Sequence, residues 1–205
     1  PVITNPNNAA ILSGGQRFIS ELDLGENQYF LTSYGKNPLL WISNNNEKTY
    51  QVFKKFYQSL EADQELKQLI DIDENIQVYC GFFVVGNRLH KEIWHVDYLD
   101  NANAFTLITP LFEVLEDHGD LLYLSHEEKV RKYEYKYGEA VIFGDKFKHS
   151  TETYSKSPNM RVMLSMTFGT DKMEYWPMLQ KTIGGQSKFM YLPCGHERSK
   201  CSCVK

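Results

Sequence analysis

From Glu47 to about Ile70 the apolar positions Tyr50, Val52, Phe53, Phe56, Tyr57, Leu60, Leu66, Leu69 and Ile70 recur at spacings of three and four, with charges between them. That period predicts an amphipathic helix with one buried face, interrupted near Ala62 and Asp63, whose aromatic stripe is a packing surface. After Asn75 the pattern changes. Short apolar runs (IQVYCGFFVVG, AFTLITPLF, DLLYLS, EAVIFGD and RVMLSMTFG) alternate with turns. Closely spaced strands with no helices between them predict an antiparallel sandwich or barrel rather than a parallel βαβ sheet. The helix is then expected on one outer face of that sheet. Residues 1–16 mix Pro, Asn and Gly without a period and read as a loop-like lead-in.

The length of 205 residues suits one domain. Its expected parts are a core over about 76–170, an N-terminal helical region over about 47–70 and a cysteine-containing tail over about 190–205. A 42% hydrophobic, 23% charged composition with 13 Tyr, 12 Phe and 3 Trp is that of a globular protein with strand-rich cores and lined pockets. The net charge of -4 and the lack of a basic patch argue against nucleic acid and for a small-molecule or peptide substrate. No apolar run approaches the roughly 18 residues that span a bilayer, and no basic-then-apolar leader is present. Cys80 stands alone while Cys194, Cys201 and Cys203 crowd together, which is not the framework of a disulfide-stapled domain. A soluble, cytoplasmic protein is expected, with no indication of oligomeric state.

The stretch EIWHVDYLD, residues 92–100, reads as a strand. Alternation would put His95 and Asp97 on one face and Trp94, Val96 and Tyr98 on the other. An imidazole and a carboxylate so placed suit a shared metal ion. A third ligand is available in His149, which follows a strand ending at Phe143 and a Gly-Asp turn. Two His and one carboxylate leave coordination positions open, the arrangement suited to non-heme Fe(II) and oxygen chemistry. Twelve residues later Arg161 opens a strand in which it shares a face with Met163, Ser165 and Thr167. There its fork of donors can meet a carboxylate bidentately, with the Ser165 hydroxyl beside it.

The order His95-x-Asp97, His149, Arg161, with GEAVIFGDKFKHS before the distal histidine, resembles the 2-oxoglutarate and Fe(II)-dependent oxygenases over residues 76 to about 170. The resemblance implies a mainly β fold with flanking helices, a double-stranded β-helix (jelly-roll, cupin-like) enclosing the metal. His95, Asp97 and His149 would be the iron ligands. Arg161 would hold the distal carboxylate of 2-oxoglutarate, Ser165 would share that duty, and Thr106 is a looser candidate. The implied reaction consumes O2, converts 2-oxoglutarate to succinate and CO2, and hydroxylates an unactivated C–H bond of a small metabolite, an amino acid or a protein side chain. Halogenating members replace the carboxylate with a small residue, and Asp97 is present here. Nucleic-acid dealkylating members carry a second arginine six residues after the first, where this chain has Thr167. The competing class is a non-catalytic cupin-like module that binds a metabolite or partner.

The remaining chemistry reads more blandly. His90, His118 and His126 sit in polar, turn-like contexts that solvent exposure explains. Trp94, Tyr98, Phe143 and Trp176 are aromatics of either core or pocket. Cys194, His196, Cys201 and Cys203 have the right chemistry for zinc, but no C-x2-C pair is followed by a second one. A mobile, thiol-containing terminus is the plainer expectation.

Overall fold

The computed structural model describes residues 19–33 and 39–203, so the lead-in at 1–16 lies outside the described residues. In chain order the elements are β1 (Ile19–Leu24), β2 (Asn27–Ser33), β3 (Leu39–Asn44), α1 (Glu47–Ser59), α2 (Asp63–Leu66), β4 (Gln77–Gly86), β5 (Ala104–Pro110), β6 (Leu121–Leu124), β7 (Val130–Tyr133), β8 (Val141–Phe143), β9 (His149–Thr151), β10 (Arg161–Gly169) and α3 (Trp176–Thr182). The strands form a seven-stranded sheet in the order β1-β2-β3-β4-β10-β5-β8 and a three-stranded sheet in the order β7-β6-β9. Every pairing is antiparallel. Leu121 of β6, Met163 of β10 and Tyr135 share one buried cluster, so the two sheets close on each other as the two layers of a jelly-roll.

The first part of the expected helix forms as α1 and ends at Ser59, whereas the part expected to reach Ile70 shortens to the single turn of α2, with Leu69 exposed. Asn46 caps α1 by accepting the Thr49 N–H at 3.0 Å, and the Thr49 hydroxyl accepts the Asn46 N–H at 3.3 Å, which satisfies two otherwise unpaired donors. Tyr50, Phe53 and Tyr57 of α1 are buried, in one cluster with Val78 of β4 and Leu164, Met166 and Phe168 of β10. The Tyr50 hydroxyl donates to the Val78 carbonyl at 2.8 Å. Contact with β4 is close enough that a Cβ on Gly81 would fall 2.2 Å from Phe53 Cγ. Beyond α1 the chain turns through Glu61, at φ 52°, before the short α2.

Two expectations need correction. The sheet is not confined to residues after 76: β1, β2 and β3 precede the helix, and β3 pairs with β4 in the register Leu40↔Val85 and Ile42↔Phe83. Nor is 92–100 a strand. Within it only His95 pairs, through a single bridge to His149, and Val96 and Leu99 are exposed while Tyr98 is fully buried. The extended conformation stops there because the Ile93 N–H is taken by the Ser150 hydroxyl at 2.8 Å and Asp97 is drawn to Thr106 on the opposite sheet.

Candidate active site

His95 and His149 are held side by side by reciprocal backbone bonds, His95 N–H to His149 O at 3.0 Å and His149 N–H to His95 O at 2.9 Å. Their rings lie 4.3 Å apart, centroid to centroid. Each Nδ1 faces a main-chain carbonyl, that of Ile93 at 2.8 Å for His95 and that of Phe147 at 3.0 Å for His149. A carbonyl only accepts, so each Nδ1 carries a proton, and in the neutral ring Nε2 keeps the lone pair. Both Nε2 atoms point at one oxygen, Asp97 Oδ1, at 3.4 and 3.8 Å. The other carboxylate oxygen, Oδ2, accepts from the Thr106 hydroxyl at 2.6 Å. Thr106 lies on β5 and is also 3.0 Å from the hydroxyl of the buried Tyr98. Strand β9 thus supplies one imidazole and holds the other across a single bridge, while Thr106 of the larger sheet orients the carboxylate, an outer layer of hydrogen bonds of the kind that fixes metal ligands.

The electrostatics follow from that crowding. Burial pushes Asp97 up, but hydrogen bonds from His95 and Thr106 and the nearby His149 outweigh it and hold the carboxyl below its ordinary range. Burial lowers His149 and prevails, keeping that imidazole neutral to lower pH. At His95 desolvation also lowers the value, yet the bonds to Asp97 and the Ile93 carbonyl win and raise it. His95, Asp97 and His149 each offer one ligand atom, all within 4.8 Å of one another. Neutral imidazoles and one carboxylate are a donor set suited to a borderline divalent cation with open positions.

The same residues line a cavity of about 300 Å³, at the lower end of ligand-pocket sizes. Arg161 and Ser165 of β10, Thr106 and Tyr135 line it as well. Arg161 is 4% exposed, and its Nε and Nη2 have no hydrogen-bond partner among the described residues. Its guanidinium lies over the Tyr135 ring, 5.2 Å from the centroid. A buried cation with idle donors is costly unless an anion completes it, and a carboxylate matches its fork. The donor sets therefore fit both a divalent metal and a carboxylate-bearing cosubstrate.

The structure brings together His95, Asp97, His149, Arg161, Ser165 and Thr106, though Thr106 gives its hydroxyl to Asp97. Tyr135, stacked under Arg161, was not foreseen. Its phenol is pushed up to about 12 by burial, with Arg161 pulling the other way, and the only sequence signal was its place beyond a weakly apolar strand. Of the unassigned aromatics, Phe143 packs 4.6 Å from the His149 ring and lines the cavity, Tyr98 supports Thr106, and Trp176 belongs to a separate core. His118 is a correction. It is 6% exposed, edge-on to Tyr154 at 6.0 Å, because a turn closed by its N–H to Leu115 O at 2.9 Å folds the ring inward. His90 and His126 are exposed as expected.

No family model and no curated protein sequence matches the chain. Solved structures do match its shape. HygX from Streptomyces hygroscopicus with nickel and 2-oxoglutarate bound aligns at a TM-score of 0.50 and 8% identity, covering 74% of this chain and 74% of that one. A Pseudomonas putida prolyl-4-hydroxylase aligns at 0.45 and 17% identity, covering 69% and 73%. The non-heme α-ketoglutarate-dependent carbocyclase SnoK aligns at 0.40 and 13% identity, covering 47% of this chain. The chain spans about half the length of SnoK and of the non-heme monooxygenase ThoJ, 50% and 49%. These likenesses show the fold, a jelly-roll shared with HygX.

Proposed function

We propose that this protein is a 2-oxoglutarate- and Fe(II)-dependent oxygenase that hydroxylates an unactivated C–H bond. The observation that carries the reading is a buried guanidinium with idle donors in the same cavity as an open His-Asp-His set. His95 Nε2, His149 Nε2 and Asp97 Oδ1 would hold iron, Thr106 would keep Asp97 in position, and Arg161, backed by Tyr135 and Ser165, would hold the distal carboxylate of 2-oxoglutarate. Bound iron with its cosubstrate supplies the oxidising chemistry: R–H, O2 and 2-oxoglutarate become R–OH, succinate and CO2. The chain contributes orientation and an apolar wall from Trp41, Phe82, Val84 and Leu89.

Ile93, which lines the cavity, is 50% exposed. A cavity this small with a mostly apolar lining favours a small metabolite, an amino acid or one side chain of a peptide. A non-catalytic binding module would account for the cavity but less well for two idle donors of Arg161 beside a metal donor set with open positions. A library of metabolites and peptides incubated aerobically with iron and 2-oxoglutarate tests the reading. One member should gain one oxygen in mass with stoichiometric succinate, and both products should vanish in Asp97→Ala. Iron and 2-oxoglutarate bound without any succinate formation would favour the binding module.

A further inference from the structure

The C-terminal tail is not a loose end. Residues 191–197 fold back as a tight hairpin, with a Tyr191↔Glu197 bridge and bonds from Leu192 N–H to His196 O and from Gly195 N–H to Leu192 O, both 2.9 Å. Gly195, at φ +71°, takes the left-handed conformation that this turn requires. A 3-10 turn at Arg198–Lys200 then returns the chain toward the hairpin, so that Cys194, His196, Cys201 and Cys203 present four ligand atoms within 4.8 Å of one another. Cys194 Sγ is 3.5 Å from Cys201 Sγ and 3.4 Å from His196 Nδ1. Tetrahedral zinc with bonds of about 2.3 Å to sulfur and 2.0–2.1 Å to nitrogen separates its ligands by about 3.8 Å (S···S) and 3.6 Å (S···N). A disulfide needs about 2.05 Å. The Cys203 N–H also points at Cys201 Sγ, at 3.3 Å, a backbone donor to the sulfur that a thiolate would use.

We propose that Cys194, His196, Cys201 and Cys203 form a structural zinc centre, separate from the His95-Asp97-His149 site. Three thiolates and one imidazole fill all four tetrahedral positions and leave none for substrate, the mark of a structural rather than a catalytic zinc. The centre has a structural task to perform. Cys194 and Cys201 pack against a core containing Tyr79, Tyr98, Trp176, Met190 and Leu192, and the segment is tied down by Tyr191 N–H to Tyr79 O at 3.0 Å and Arg198 N–H to Met190 O at 2.8 Å. Beyond Pro193 the segment is mostly exposed, and a metal supplies the constraint that its own burial does not.

Cobalt substitution of the whole chain tests the centre, because only a sulfur-ligated site gives thiolate-to-Co(II) charge-transfer absorption. Metal-stripped protein with its thiols kept reduced should take up Co(II) with that absorption and intense tetrahedral d–d bands. One equivalent of Zn(II) should bleach both. The spectrum should persist in His95→Ala and be lost in Cys201→Ser, with Cys203→Ser, at an exposed position, as the second variant if the first fails to fold. Wild-type protein that shows no thiolate charge-transfer band, or a band that survives both cysteine substitutions, would overturn the proposal.

Discussion

Asp97 is the residue on which the site turns, and its two oxygens have different work. Oδ1 faces both imidazoles and Oδ2 is held by Thr106. Thr106→Val keeps the shape but deletes the hydroxyl that donates to Oδ2, so metal affinity should fall about tenfold to a hundredfold, as for other lost outer-layer partners. Competition with a chromophoric chelator measures it, and a change under about twofold would remove Thr106 from the positioning role. At Arg161 the decisive property is the fork rather than the charge. Arg161→Lys should raise the KM for 2-oxoglutarate about tenfold to a hundredfold, since a point charge cannot reproduce two parallel bonds, while kcat at saturating 2-oxoglutarate changes less. An unchanged KM would mean that the cosubstrate carboxylate lies elsewhere.

Single contacts also decide whether elements pack. Because α1 presses Phe53 onto Gly81 of β4, Gly81→Ala should cost about 1–3 kcal/mol of stability, the range for overpacking, readable as a lowered urea midpoint. A variant as stable as wild type would show that the helix shifts freely on the sheet. After β10, Asp171 accepts the backbone N–H groups of Asp73, Glu74 and Asn75 at 2.7, 2.8 and 2.9 Å, joining the strand's exit to the loop before β4. Burial raises this carboxyl, but the three N–H bonds outweigh it and lower it below its ordinary value. A folded-state value below the unfolded one, near 3.9, gives stability that is present above that pH and is lost as pH falls through the folded value. Asp171→Asn should therefore lose about 1 kcal/mol near neutrality, discounted for partial solvation. The gap should close in acid; one that widened there would contradict the sign.

At the scale of the whole molecule, the parts legible in the sequence were those marked by uncommon chemistry in a fixed order. His95, Asp97, His149, Arg161 and Ser165 could be singled out as candidates because polar groups in apolar runs call for partners, and the helix because Tyr50, Phe53 and Tyr57 recur at its period and share its buried face. Strands β1 to β3 were missed because they lie upstream of the change in pattern, and β7 and β9 because they are four and three residues long and mostly polar. Tyr135 acquires its place only when the small sheet folds over β10. His118 is buried by a turn, and the tail cluster is assembled by folding rather than by familiar spacing. The central claim is that two imidazoles, one carboxylate and one guanidinium form a single site for iron and 2-oxoglutarate. Anaerobic titration of the iron-loaded protein with 2-oxoglutarate measures it most directly. A weak visible charge-transfer band should grow to one equivalent, disappear in Asp97→Ala and need far more cosubstrate in Arg161→Lys; no band in the wild type, or the same band in Asp97→Ala, would contradict the account.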